Sequence, residues 1–112
     1  MVKTKPGQII KLDFDPIVGH EQGGYRPAVI VSNSYAISKH NVVYICPITN
    51  TNRHYPTHIA LDNRTVTTGV VLCEHMKSTD LSNRGFTFIE NMPADIFERV
   101  VFAVSSLIRL PE

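Results

Sequence analysis

The stretch Gly19-His20-Glu21-Gln22-Gly23-Gly24-Tyr25-Arg26-Pro27-Ala28-Val29-Ile30-Val31-Ser32-Asn33 decides how the rest of this 112-residue chain is read. It sets a glycine-rich loop carrying an acid and an arginine directly against residues 28–31, which are apolar at every position. So short a run, bounded by Pro27 and by Ser32-Asn33, reads as a strand buried on both faces. Gly19, Gly23 and Gly24 free the loop backbone for positive φ and for close approach by another chain. Pro27 fixes its own φ and pushes Arg26 toward an extended conformation, so the guanidinium leaves the loop in a restricted direction. A charged loop on a rigid element is a common way to build a site. An ordinary hairpin entry with solvated charges fits the same local pattern.

Upstream, Ile10, Leu12 and Phe14 alternate with Lys11 and Asp13, the period-two pattern of a half-buried strand ending at Asp15-Pro16. The connection over residues 17–26 is longer than a typical hairpin loop, which points to function rather than mere linkage. Downstream, residues 33–38 suggest a single helical turn capped by Asn33 or Ser34, too short to carry a core face. Residues 42–48 form a second apolar strand, in which Pro47 is tolerated only near an edge, an end or a bulge, so that Thr49 stands where the strand leaves the sheet. A polar loop over residues 50–57 follows, then strands over 58–62, 69–73 and 85–90, with turn signals over 65–69.

Residues 93–109 switch period. Ile96, Val100, Val104 and Leu107, with Phe97, Val101 and Ile108 beside them, follow helical spacing. Pro93 suits the first turn, Asp95 and Glu98 the N-terminal dipole, and Arg109 the far end. The expected architecture is mainly β with α: several short antiparallel strands over a single domain, residues 1–112, closed by one C-terminal helix.

The balance of 11 Lys+Arg against 10 Asp+Glu gives a formal charge of +1, far from the basic character of a protein that grips duplex DNA by its phosphates alone. Any nucleic-acid surface must therefore be local. No apolar run approaches the ~20 residues that cross a bilayer, and Met1-Val2-Lys3-Thr4-Lys5-Pro6 lacks the apolar core of a signal peptide, so a cytoplasmic protein is expected. Cys46 and Cys73 sit inside apolar strand patterns and read as buried packing thiols. His54 and His58 are four apart, but Pro56 intervenes and no Cys-x-x-Cys knuckle accompanies them, so no metal site or other cofactor is expected.

The order Gly-x-Glu-Gln-x-Gly-x-Arg-Pro-x-x-Val-Ile-Val-Ser-Asn resembles the signature of the MazF/PemK family of toxin endoribonucleases. The resemblance continues in Pro47-Ile48-Thr49-Asn50 and in Val71-Leu72-Cys73-Glu74-His75-Met76-Lys77-Ser78, in the family's order and across most of the chain. It implies a small SH3-like barrel of the MazF/PemK/CcdB type, a homodimer with single-stranded RNA in a groove between subunits, and a cognate antitoxin whose acidic tail occupies that groove. It further implies cleavage without a metal, by the substrate's own 2′-OH.

Such cleavage needs a group to take the 2′-OH proton, a charge or donor for the phosphorane oxygens, and a group to protonate the departing 5′-oxygen. The resemblance places the family's paired catalytic residues on Arg26 and Thr49. Arg26 offers five donors in a planar fork, and its electrostatic role is favoured over proton transfer because its pKa lies above about 12. Thr49 can donate to a non-bridging oxygen or cap its own strand end. Glu21 is the candidate base, since a carboxylate near an RNA phosphate has its pKa raised; it can equally pair with an arginine and shape the loop. RNA contacts are expected from His20, Gln22, Tyr25, Asn50, Arg53, His54, His75, Lys77 and Ser78. Arg53, His54 and Tyr55 suit a single-strand clamp, Tyr25 a stacking surface, and Lys77 with Ser78 a phosphate pair. His75 stands where many family members carry glutamine. The alternative is a non-catalytic binding protein on the same fold, either an RNA-binding module or a gyrase poison of the CcdB kind. The latter acts through C-terminal residues including a tryptophan, and this chain has none.

Overall fold

A computed structural model describes residues 4–14, 24–40, 43–51 and 54–109. The described strands are β1 (Gln8–Asp13), β2 (Tyr25–Ile30), β3 (Val43–Thr49), β4 (His58–Ala60), β5 (Val70–Leu72), β6 (Lys77–Thr79) and β7 (Thr87–Asn91). They form one seven-stranded antiparallel sheet in the order β4-β5-β3-β2-β1-β7, with β6 joined to β3 beside β5. The helices are α1 (Ser34–His40), α2 (Leu81–Arg84) and α3 (Ala94–Ser106).

β3 organises the sheet because it is buried at every position but Tyr44. Successive side chains of a strand point to opposite faces, and the two faces carry separate cores. Cys46 and Ile48 pack with Ile9, Val29 and Val71 against Ile96, Val100 and Ala103 of α3. Val43 and Ile45 pack with Ile10, Leu12, Phe14, Ala28 and Ile30 against Leu81 of α2 and Ile37 of α1. The sheet thus has helices on both faces, where a single C-terminal helix is the sequence expectation.

The two outer strands of this path are β4 and β7, and side chains link their ends where a closed barrel would have a ladder. The Glu90 carboxylate on β7 accepts from the Val66 N–H at 3.1 Å, and from the N–H and hydroxyl of Thr67 at 2.8 Å each, in the β4–β5 connection. Burial alone would raise the Glu90 pKa, but these bonds from Thr67 and Val66 outweigh it and hold the carboxyl below its ordinary value. Beside it Arg64 forks between Asp62 at 2.8 Å and Asp95 at 2.9 Å, tying the same connection to the first turn of α3.

Several elements depart from expectation. Residues 33–38 grow into the seven-residue α1, whose Ala36 N–H donates to the Asn33 side chain at 2.9 Å and whose Ile37 does reach the core. α2 and β6 are additional; Asp80 caps α2 by accepting from Ser82 N at 3.1 Å. β4 and β5 are three residues each, shorter than the strands expected over 58–62 and 69–73, and β5 gives way at its C-terminal end to the 3₁₀ segment Cys73–His75. α3 buries Ile96, Val100 and Ala103, whereas Val101, Leu107 and Ile108 remain exposed, Leu107 lying just beyond the last helical residue.

Candidate active site

Arg26 is the second residue of β2, not a loop residue, because the strand begins at Tyr25 and carries Pro27 inside it. Its register partner on β1 is Leu12. On the other side β2 meets β3 through Ala28↔Pro47, Val29↔Cys46 and Ile30↔Ile45. Carried two residues beyond Ala28↔Pro47, this register sets Arg26 opposite Thr49. Alternation puts both on the face that bears Ala28, Ile45 and Leu12, away from α3. Two prolines, Pro27 and Pro47, remove ladder donors at this point, so the strands are released from one another as Arg26 and Thr49 are reached.

Thr49 is 8% exposed. Its Oγ1 accepts from the Thr51 N–H at 3.2 Å, which is the strand-end cap foreseen for it. The backbone behind Thr49 is held by a residue that sequence reading treats only as a turn. Gly69 has φ +114°, and a Cβ built on it would stand 2.2 Å from the Thr49 carbonyl oxygen. Only glycine fits both the conformation and the approach. Next in sequence, Asn50 is fixed by Thr68, whose hydroxyl donates to Asn50 Oδ1 at 3.0 Å.

The Phe14 N–H donates to Gly24 O at 2.9 Å, pinning together the two chain ends from which residues 15–23 depart, directly beside Tyr25 and Arg26. Glu21, His20 and Gln22 belong to that segment and lie outside the described residues, as does Arg53. Gly24 takes φ +80°, the one glycine of the opening loop for which the positive φ is seen.

The structure does not gather all the remaining candidates. Tyr25 alternates onto the opposite face from Arg26, and its hydroxyl pairs with Thr87 Oγ1 at 2.6 Å on the far side of β1. Lys77 lies opposite Ile45 on the Arg26 face, its ammonium 4.7 Å from the Phe14 ring centroid. Together with Phe14, Ser78 and Thr79 it lines a cavity of about 100 Å³ over Leu12 and Ile45. Thr79 Oγ1 is buried without a hydrogen-bond partner among the described residues. His75 ends the 3₁₀ turn, Nε2 4.0 Å from Glu74. His54 holds φ +60° in the loop that leads to β4.

Both cysteines are buried free thiols. A hydrogen bond to Cys73 and burial push the Cys46 pKa well above the ordinary thiol range, as suits a packing residue rather than a nucleophile.

A family model described as "PemK-like, MazF-like toxin of type II toxin-antitoxin system" matches residues 5–108. The endoribonuclease PemK of Escherichia coli is 30% identical over 106 residues, spanning 91% of this chain and 80% of that protein. The endoribonuclease toxin MazF of E. coli K12 is 36% identical over 81 residues, 72% of each chain. The crystal structure of MazF from Deinococcus radiodurans superposes with a TM-score of 0.84 at 32% identity, covering 94% of this chain and 96% of that one. MazF in a MazE–MazF crystal structure from the same organism gives 0.80 at 32% identity, covering 94% and 95%. The chain belongs to the PemK-like, MazF-like toxins of type II toxin–antitoxin systems.

Proposed function

We propose that this chain is an endoribonuclease toxin that cuts single-stranded RNA, messenger RNA above all, at a short sequence in the cytoplasm, and that a cognate antitoxin protein silences it. The observation that carries the reading is the β2–β3 register, which, continued two residues past its last pair Ala28↔Pro47, sets Arg26 and Thr49 across from each other on one sheet face. In a chain of this family, that pair supplies the donors that 2′-OH attack requires for the phosphorane oxygens. The 2′-oxygen bonds to the adjacent phosphorus as its proton leaves for the base, charge gathers on the non-bridging oxygens, and the bond to the 5′-oxygen breaks as that oxygen takes a proton from water. A 2′,3′-cyclic phosphate and a 5′-OH result. The Arg26 fork and the Thr49 hydroxyl donate to those oxygens, where a positioned donor is worth most. Glu21, a few residues before Arg26 in the sequence, is the proposed base, and no metal enters the scheme.

The relatives' names support RNA as substrate, and the MazE–MazF structure supports the antitoxin. The exposed apolar side chains of and just after α3 support a homodimer. RNA contacts are assigned to His20, Gln22, Asn50, Arg53, His54, His75, Lys77 and Ser78, of which Lys77 shares the face of Arg26; Tyr25 is the weakest of the candidates because it faces the other way. The test is a labelled RNA containing one cut site, with ribose or deoxyribose on its 5′ side. The deoxy version should stay intact while chelators leave the rate of the ribose version unchanged. Cutting of the deoxy strand, or a chelator-sensitive rate restored by divalent ion, would sink the mechanism. RNA bound but never cut would make the chain a binding module.

A further inference from the structure

The connection from Thr49 to β4 ends on a set of contacts that the cleavage chemistry does not use. His58 opens β4 with its side chain 3% exposed and its Nε2 2.7 Å from Oε2 of Glu74. Thr57 Oγ1 donates to the other carboxylate oxygen at 2.8 Å, and the Cys73 N–H donates to Thr57 O at 3.2 Å. Side chain and main chain therefore both tie the entry of β4 to the 3₁₀ turn. Burial would raise the Glu74 pKa, but hydrogen bonds, those from His58 and Thr57 among them, hold it below its usual value. Among the described residues His58 Nδ1 is buried with no partner, so the Nε2–H tautomer, which leaves a lone pair there instead of an orphaned N–H, suits the site.

Tyr55 stands on this ring. The two centroids are 4.9 Å apart at 45°, and the His58 N–H donates to Tyr55 O at 2.9 Å. Tyr55 nevertheless stays 53% exposed, and the residue before it, His54, holds a left-handed backbone that its surroundings must maintain. An exposed aromatic ring is thus braced from beneath by a buried one that is hydrogen-bonded to Glu74.

We propose that His58, held by Glu74 and Thr57, is a positioning residue that presents the Tyr55 ring as a stacking surface for one unpaired base of the RNA strand. This rests on the RNA-cutting reading above and extends it to a subsite. Tyr55 belongs to the connection that leads from Thr49 to β4, which lies two strands from β3, so the proposed subsite takes a base neighbouring the scissile phosphate. Stacking on an aromatic ring is tolerant of base identity and supplies affinity. The effect therefore belongs in KM and not in kcat.

The experiment is photo-crosslinking of single-stranded RNA, carrying 5-iodouridine and made uncleavable by a deoxyribose at the cut site, to the Arg26→Ala protein, with the crosslink mapped by mass spectrometry. Tyr55 should carry it, and His58→Ala should lower the yield about fivefold or more. His58→Gln, which can still donate to Glu74, should restore most of it. In the cutting protein, Tyr55→Leu should raise KM about tenfold with kcat within about twofold, and His58→Ala should do the same. In the Tyr55→Leu background His58→Ala should add nothing further, because it acts through that ring. Tyr55→Leu alters an exposed ring and leaves the Glu74 bonds in place, so its outcome does not depend on whether His58→Ala folds. RNA that is cut while Tyr55 never crosslinks and Tyr55→Leu keeps its KM would overturn the stacking role and leave the cleavage reading standing. A Tyr55 crosslink in a wild-type protein that cuts nothing would do the reverse.

Discussion

Arg26 carries the sharpest prediction. Arg26→Lys keeps the charge but exchanges a planar fork for a point donor, so a site needing two parallel contacts to a phosphorane should lose rate despite conserved charge. Arg26→Ala should cut single-turnover cleavage by at least about 10²–10³, the usual size of one positioned donor, with Arg26→Lys between it and wild type. Thr49→Ala should lose less than Arg26→Ala, and affinity for an uncleavable deoxy-substituted RNA should move far less than rate in each case. Loss of rate only in proportion to lost affinity would make Arg26 a binding residue. Gly69→Ala attacks the same centre from behind. With φ +114° and the Thr49 carbonyl oxygen 2.2 Å from the new Cβ, the Thr49 backbone must shift. Urea unfolding should show a loss upward of about 2 kcal/mol. Cleavage per folded molecule should fall toward 10²-fold, since a misplacement of about 1 Å costs that much. Arg26 and Thr49 are legible as types near strand ends because proline and loop signals flank them. Their opposition is not, because it depends on the register between β2 and β3, and Gly69 reads as an ordinary turn glycine for the same reason.

Elements were legible in proportion to their length and period. Alternation marks β1 and the run 28–31, and helical spacing marks the buried side of α3, each being long enough for a pattern to repeat. Lys77-Ser78-Thr79 is a strand only because β3 offers it a partner, and nothing in three polar residues announces it. α2 did carry a local signal: Asp80, whose carboxylate takes the Ser82 N–H, precedes Leu81 as an N-cap should. The connections that hold the β4–β5 segment to β7 and α3 are side-chain pairs between distant positions, and they set the protein's response to acid. Hydrogen bonds from Arg64 hold Asp62 down to about 2 and Asp95 below its ordinary value. Groups depressed in this way stabilise fully above their unfolded values near pH 4, and the contribution fades as pH falls through the folded ones. The melting temperature should therefore be flat from about pH 7 to 5 and drop toward pH 2. Arg64→Gln should make that drop shallower while changing the value at neutral pH only slightly, since all three side chains are solvent-exposed. An unchanged acid profile in Arg64→Gln would show that the pair contributes nothing measurable.

At the scale of the whole molecule, a formal charge of +1 means that RNA is held by a local surface and not by the overall field. Log affinity for a single strand should fall with log salt at about −0.7 per phosphate contact, and only a few contacts are expected. A steep slope, or tighter binding to a duplex of the same sequence, would contradict a single-strand groove. What forms the groove's other wall is suggested by the helix that closes the fold. α3 spends Ile96, Val100 and Ala103 on the core, yet Phe102 is 68% exposed and Ile108 74%, with Val101 and Leu107 also open and the Arg109 guanidinium 5.7 Å from the Phe102 ring. Helical periodicity marked some of these positions as apolar without telling whether the core or a second copy covers them, because both leave the same pattern. If a second copy does, Phe102→Glu with Ile108→Glu should halve the mass measured by light scattering at micromolar concentration while circular dichroism stays native, these side chains being outside both cores. RNA cutting should then track the dimer fraction, recovering as protein concentration is raised, because a groove shared between subunits exists only in the dimer. A wild-type protein that is monomeric at that concentration, or a monomeric variant that cuts at the wild-type rate, would place the whole RNA site within one chain.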